Sequence, residues 1–185
     1  MNVEVIDGFL SEEDNYSLLK VMMENNKFSW RPSRCLTERD YEEDPRFNLQ
    51  FTHIFYTNGS YHTSDEFYSE HYDYVKPIVD KLDIDILVKI KANLTVNRGR
   101  REDQGFHMDM PNVLTGKGKT AIYYVNGTNG GTRLDQGEFI EGVSNRLVIL
   151  PNNIRHTAVS HDSNSPMRLV LNINWIYQKY FVAAS

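Results

Sequence analysis

Ile86-Leu-Val-Lys-Ile-Lys-Ala-Asn-Leu-Thr-Val-Asn97 alternates apolar and polar residues along its whole length. Side chains on a strand point to opposite faces with a period of two. Val88, Ile90, Ala92, Leu94 and Val96 therefore share one face, and Lys89, Lys91, Asn93, Thr95 and Asn97 share the other. The last long pattern, Met167 to Tyr177, repeats this division. Leu169, Leu171, Ile173 and Trp175 lie on one side, and Arg168, Val170, Asn172 and Asn174 on the other. A mixed polar face on a strand whose opposite face is wholly apolar suits a barrel that encloses a polar ligand.

Working outward, further strands are predicted over Thr120–Asn126, Glu138–Glu141, Arg146–Leu150 and Arg155–Ser160, punctuated by Gly, Asn and Pro. The N-terminal part differs. A short strand, Val3 to Ile6, precedes a helix capped by Ser11 and carrying Leu18, Leu19, Met22 and Met23. Strands are expected at Phe28–Trp30 and Phe47–Tyr56, and a second helix over 64–82. Residues 31–46 are charge-dense, bounded by prolines and without period, which reads as a long exposed loop of the kind used to cover binding sites. Two helices followed by seven or eight antiparallel-type strands predict a mostly β chain with N-terminal helices. The expected architecture is a double-stranded β-helix (jelly-roll, cupin-like) barrel with the helices packed outside.

The chain of 185 residues is expected to form a single domain, 1–185, large enough to bury a core without cross-links. No apolar run approaches the roughly 20 residues that span a bilayer. The N-terminus lacks the basic and apolar regions of a signal peptide. Cys35 is the only cysteine, so no internal disulfide forms, and a cytoplasmic location is expected. A net charge of −5 argues against a nucleic-acid partner, which usually meets a basic excess.

The chemistry-bearing residues cluster in two segments. In Gly105-Phe-His-Met-Asp-Met-Pro111, His107 and Asp109 stand two apart in a strand-like stretch, so both can face one metal ion. His156 arrives from Arg155–Ser160. Two His and one carboxylate, with other positions left open, form the facial triad of non-haem Fe(II) oxygenases. Arg168 supplies a guanidinium able to grip the carboxylate of a dicarboxylate co-substrate bidentately.

Two internal controls test the choice of ligands. His71-Tyr-Asp73 is a second His-x-Asp, but Phe67, His71, Val75, Ile78, Val79 and Leu82 recur at helical spacing, with Thr63 and Glu66 as a capping box. Helical positions two apart diverge, so His71 and Asp73 are expected on a helix surface. His161 also competes with His156. A hairpin about the turn Asp162-Ser-Asn-Ser-Pro166 would place Ala158 opposite Arg168 and His156 one step further along the same face. His161 is then a solvated turn residue.

Together, His107-Met-Asp-Met-Pro-Asn112, Ala121-Ile-Tyr-Tyr-Val-Asn126, the Gly130-Gly131 turn, Asn145-Arg-Leu-Val-Ile-Leu-Pro151, His156 and Arg168 resemble the 2-oxoglutarate- and Fe(II)-dependent dioxygenases, specifically their prolyl hydroxylase branch. Val5-Ile-Asp-Gly-Phe-Leu-Ser11 before a helix resembles the usual start of such domains. The resemblance implies that His107, Asp109 and His156 bind Fe(II), and that Arg168 and the Tyr124 hydroxyl bind the distal carboxylate of 2-oxoglutarate. O2 would be the second co-substrate, and a prolyl residue in a peptide or protein the group hydroxylated. Many relatives carry a Tyr where this chain has Thr95 and Asn97. Those two residues, Asn93 and Asn172 are candidates to hydrogen-bond the co-substrate. Arg98-Gly-Arg-Arg101, just before the metal segment, is a candidate contact for an acidic substrate. The rival readings are an oxygenase acting on a free amino acid or nucleobase, and a cupin-like metal-binding module or sensor without oxygenase turnover. The last has no need of a dicarboxylate clamp.

Overall fold

The computed structural model describes residues 3–34, 49–59, 65–110 and 114–180. Its larger sheet has eight strands, all antiparallel. In spatial order they are β1 (Glu4–Asp7), β9 (Arg146–Pro151), β6 (Gly118–Tyr124), β11 (Met167–Ile176), β5 (Ile86–Val96), β3 (Leu49–Thr57) and β2 (Arg31–Arg34), with β4 (Phe67–Tyr68) on β3. A second sheet comprises β10 (His156–Val159), β7 (Gly131–Leu134) and β8 (Phe139–Glu141). This is the predicted double-stranded β-helix.

The two faces of the larger sheet do different work. Phe55, Ala92, Leu94, Leu169, Leu171 and Ile173 point outward and pack with Leu18, Val21 and Met22 of helix α1 (Glu12–Glu24) and Ile78 of helix α2 (Lys76–Lys81). Leu18, Val21 and Met22 follow the three-to-four spacing that puts them on one helix face. Ser11 starts α1 by accepting the Asp14 N–H at 3.0 Å. The inward face is apolar on one side, where Ile122, Tyr124, Val148, Leu150 and Val170 pack with Leu134 and Ile140 of the second sheet. On the β5 side it is polar. That asymmetry makes the cavity.

Asn145 joins helix layer and barrel. Its backbone adopts a φ of 59°, a left-handed conformation that Asn tolerates better than most residues. Its amide then brackets the Leu10 backbone, accepting from its N–H at 2.8 Å and donating to its carbonyl at 3.0 Å, while the Tyr123 hydroxyl donates to it at 2.8 Å.

Six expectations need correction. The helix over 64–82 is only α2, preceded by β4 and a 3₁₀ turn at Tyr72–Tyr74. Pro77 sits in the first turn of α2, where its missing N–H is harmless, whereas a helix running through it would lose a hydrogen bond. Thr63 of the expected capping box lies outside the described residues. His71 is therefore buried, stacked 5.1 Å from the Phe28 ring, although Asp73 is exposed as expected.

The predicted strand at 28–30 forms instead at 31–34, so the first residues of the presumed loop are an edge strand on β3. Pro32 is compatible with an edge. The β10–β11 hairpin does not exist. β10 pairs with β7, and β11 runs between β5 and β6, so the turn at 162–166 crosses from one sheet to the other. His161 is consequently fully buried rather than solvated. Finally, β7 went unrecognised because it is four residues long and begins with the glycine of an apparent turn.

Candidate metal centre and its cavity

His107 and Asp109 do not lie on a regular strand. A single antiparallel bridge, His107 N–H to His156 carbonyl at 2.9 Å and His156 N–H to His107 carbonyl at 3.0 Å, holds the two histidines side by side. The chain then bends at Asp109, which swings the carboxylate back toward both rings. The bridge and the bend, not strand alternation, bring the three side chains together.

The Nε2 atoms of His107 and His156 lie 3.5 and 3.7 Å from the two oxygens of Asp109, and all candidate ligand atoms fall within 4.8 Å of one another. Among the described residues this is the one group of three or more His, Cys, Asp or Glu side chains so arranged. Both rings are anchored through Nδ1. His107 Nδ1 faces the Gly105 carbonyl at 3.1 Å, and His156 Nδ1 faces the Ile154 carbonyl at 3.1 Å. A carbonyl only accepts, so each Nδ1 carries the proton and each Nε2 presents a lone pair. This is the tautomer that a metal needs.

Electrostatics agree. Burial opposes ionisation of Asp109, but the hydrogen bonds and charges of His107 and His156 outweigh it and hold the carboxyl well below its usual range. Burial depresses His156, yet hydrogen bonding and attraction to Asp109 raise it overall. The three residues therefore favour a shared cation, whether a proton or a metal ion. The donor set, two imidazoles and a carboxylate, suits Fe(II).

Asn172 donates to Asp109 Oδ2 at 2.8 Å, and Asn93 donates to Asn172 Oδ1 at 3.0 Å. Both line the cavity, but they form a relay that aims the carboxylate, a role the sequence did not indicate. Partners of this kind typically contribute 10–100-fold to metal affinity. Asn172→Ala is expected to weaken Mn(II) binding by about that much while the protein stays folded, as calorimetry would show.

The cavity holds about 380 Å³ and runs between the sheets. Arg168, Thr95, Thr132 and Ala158 line one end, His107, Asp109 and His156 its middle, and Lys89, Lys91 and Asn174 the other end. Arg168 is 4% exposed, donates to the Gly131 carbonyl at 3.2 Å and lies 5.5 Å from the Tyr124 ring centre. A Cβ at Gly131 would collide with the Ile140 carbonyl, so glycine lets β7 and β8 approach while β7 presents the carbonyl of Gly131 itself to Arg168. The Tyr124 hydroxyl meets Thr132 Oγ1 at 2.6 Å, and Thr132 itself lines the cavity. Burial first, and then repulsion from Arg168, pushes the buried His161 imidazole below its ordinary range.

Thr95 lines the cavity directly opposite Arg168, whereas Asn97 donates to the Ser163 and Ser165 carbonyls and braces a loop. Arg100 pairs with Glu102 at 2.9 Å and Arg101 lies over Phe139, both outside the cavity lining. Ser33 of β2 reaches the cavity, but residues 35–46 of the expected covering loop lie outside the described residues. Gln50, Gln104, Thr132, Lys89 and Lys91 were not assigned from sequence. For the lysines and Gln50 a signal existed, since they occupy the same strand faces as Asn93.

No known family profile matches the sequence, and no curated protein matches it. Solved structures do. A prolyl hydroxylase from Trichoplax adhaerens, in complex with a hypoxia-inducible factor oxygen-degradation-domain peptide, aligns with a TM-score of 0.66 over 96% of this chain and 84% of that one, at 15% identity. A Pseudomonas putida prolyl-4-hydroxylase aligns with a TM-score of 0.57 over 95% and 92%, at 14% identity. The epimerase SnoN, in complex with Fe3+, alpha-ketoglutarate and nogalamycin RO, aligns with a TM-score of 0.59 over 94% and 78%, at 10% identity. The chain thus has the double-stranded β-helix fold of the 2-oxoglutarate/Fe(II) oxygenases, prolyl hydroxylases among them.

Proposed function

We propose that this protein is a 2-oxoglutarate- and Fe(II)-dependent dioxygenase that hydroxylates a C–H bond of a prolyl residue in a peptide or protein. The observation that carries the reading is the convergence of two Nε2 lone pairs and the Asp109 carboxylate in a cavity whose far end holds buried Arg168. His107, Asp109 and His156 would hold the iron, and Arg168 the distal carboxylate of 2-oxoglutarate. When bound, iron and 2-oxoglutarate together supply the activation of O2 and the oxidation of the C–H bond.

The chain's own residues supply placement. The Nδ1 hydrogen bonds fix both imidazoles before any metal arrives, and the Asn93–Asn172 relay fixes the carboxylate. Arg168 is held by the Gly131 carbonyl and the Tyr124 ring, so a carboxylate meets a preoriented guanidinium rather than a mobile one. The apolar layer of Ile122, Val170 and their neighbours limits water on one side of the cavity. A metal module without turnover would need the triad but not buried Arg168. The choice of a prolyl substrate is supported by the hydroxylases of like fold.

Mass spectrometry after incubation with Fe(II), 2-oxoglutarate and a proline-containing peptide library tests the reading. One oxygen gained at proline, with stoichiometric succinate, is expected. Succinate production coupled to a different substrate would refute the prolyl assignment alone. Tyr124→Phe separates two roles for that hydroxyl. Its bond to Thr132 in this structure would cost about 0.5–1.5 kcal/mol of stability if lost, whereas a direct bond to the charged co-substrate would add about 1.5–3 kcal/mol to the loss of 2-oxoglutarate affinity.

A further inference from the structure

The cavity carries more positive charge than the proposed chemistry uses. Lys89 and Lys91 occupy the inward face of β5 and line the cavity. Across the sheet, Lys91 stands opposite Asn172, which donates to Asp109, and Lys89 stands opposite Asn174. Arg168 lies opposite Thr95, at the other end of the same pair of strands. The lysines are therefore on the side of the triad away from the proposed co-substrate.

Their environment is incomplete. Among the described residues, neither ammonium is within ion-pair or hydrogen-bond distance of a carboxylate. Burial, then repulsion from Lys91, pushes the Lys89 ammonium below its ordinary range, although the charge of Asp109 pulls the other way. Inward-facing ammonium groups are costly to desolvate, and apolar residues would fill the same positions more favourably.

Charge balance points the same way. A divalent metal, the Asp109 carboxylate, a dicarboxylate co-substrate and the Arg168 guanidinium neutralise one another. Lys89 and Lys91 remain, in a chain that is acidic overall. We propose that Lys89 and Lys91 form an anion subsite beside the metal triad, receiving an oxyanion, carboxylate or phosphate, carried by the molecule to be oxidised. For a peptide substrate this is an acidic group close to the residue hydroxylated. The proposal rests on the metal reading above and adds the charge of the substrate to it. It also explains why the cavity of an acidic protein has a cationic wall.

The test uses the whole protein loaded with Mn(II) and 2-oxoglutarate, with inorganic phosphate and trifluoroacetate as probes observed by phosphorus and fluorine NMR. An anion held on the lysines lies near Mn(II) and is broadened by it. Broadening of at least one probe is expected, at least about tenfold weaker in the double variant K89M/K91M, as loss of two charges facing an anion implies. K91R, which keeps the charge, should retain it. Whichever probe responds distinguishes a phosphate from a carboxylate subsite.

Equal broadening in K89M/K91M would place the anion on the metal itself and overturn the proposal, as would no broadening of either probe. Water-proton relaxation by Mn(II) is recorded on each sample. The double variant should keep Mn(II), because it removes positive charge from beside a cation. Loss of Mn(II) in that variant would mean that the lysines support the triad, and would also overturn the proposal. Failure of the unmodified protein to take up Mn(II) would instead refute the metal reading.

Discussion

Asp109→Ala is expected to abolish divalent metal binding and all turnover of 2-oxoglutarate. Asp109 is the one anionic ligand in the set, its side chain is 8% exposed, and it lies between both imidazoles. Without it the two histidines offer neutral nitrogens alone. The loss should exceed the 10–100-fold typical of an outer-shell partner, and Mn(II) affinity should fall below detection in a calorimetric titration. His107→Ala and His156→Ala should do the same. His71→Ala and His161→Ala should keep metal binding. Because both rings are buried, these two variants should instead lose about 1–3 kcal/mol of stability, measurable by denaturant unfolding. Metal loss in His161→Ala with retention in His156→Ala would show that the wrong distal ligand had been assigned.

Arg168→Ala is expected to weaken 2-oxoglutarate binding by a few hundred-fold or more while leaving Mn(II) binding intact. Removing one partner of a buried charge pair typically costs about 3–5 kcal/mol, and each ~1.4 kcal/mol is tenfold. Arg168 is suited to that role because its guanidinium is buried at the cavity end and braced by Gly131 and Tyr124. Calorimetry of 2-oxoglutarate into Mn(II)-loaded protein would measure it. Unchanged affinity would remove the dicarboxylate clamp and favour a metal module without turnover.

The barrel and the site differ in how far the sequence exposes them. β5 and β11 are long, central and cleanly alternating, so period two alone assigns their faces, and Asn93, Arg168 and Asn172 land inside the cavity as expected. Short elements lose that signal. β7 has four residues and opens on a glycine, and without it β10 seemed to pair with β11. Helical spacing misled over residues 64–82, because Phe67 on β4 and His71 before the 3₁₀ turn happen to fall at helical intervals from Val75, Ile78, Val79 and Leu82, which pack into the core around α2. His161 illustrates the general difficulty. Its burial depends on how a turn crosses between sheets, a tertiary fact that local pattern does not encode. His107, Asp109 and His156 nonetheless come together, because His107 and His156 are joined by one backbone bridge, which sets both residues side by side as a strand pair would.

Anaerobic addition of 2-oxoglutarate to the Fe(II)-loaded protein, followed by visible absorption, tests the central claim most directly. Chelation of Fe(II) by the keto acid produces a charge-transfer band that neither component shows alone. The arrangement of His107, Asp109, His156 and Arg168 predicts a saturable band at one equivalent of each, absent in His156→Ala and reached only at a few hundred-fold higher 2-oxoglutarate in Arg168→Ala. No band with Fe(II) bound, or a band unchanged in Arg168→Ala, would contradict the assignment of this cavity as a 2-oxoglutarate/Fe(II) site.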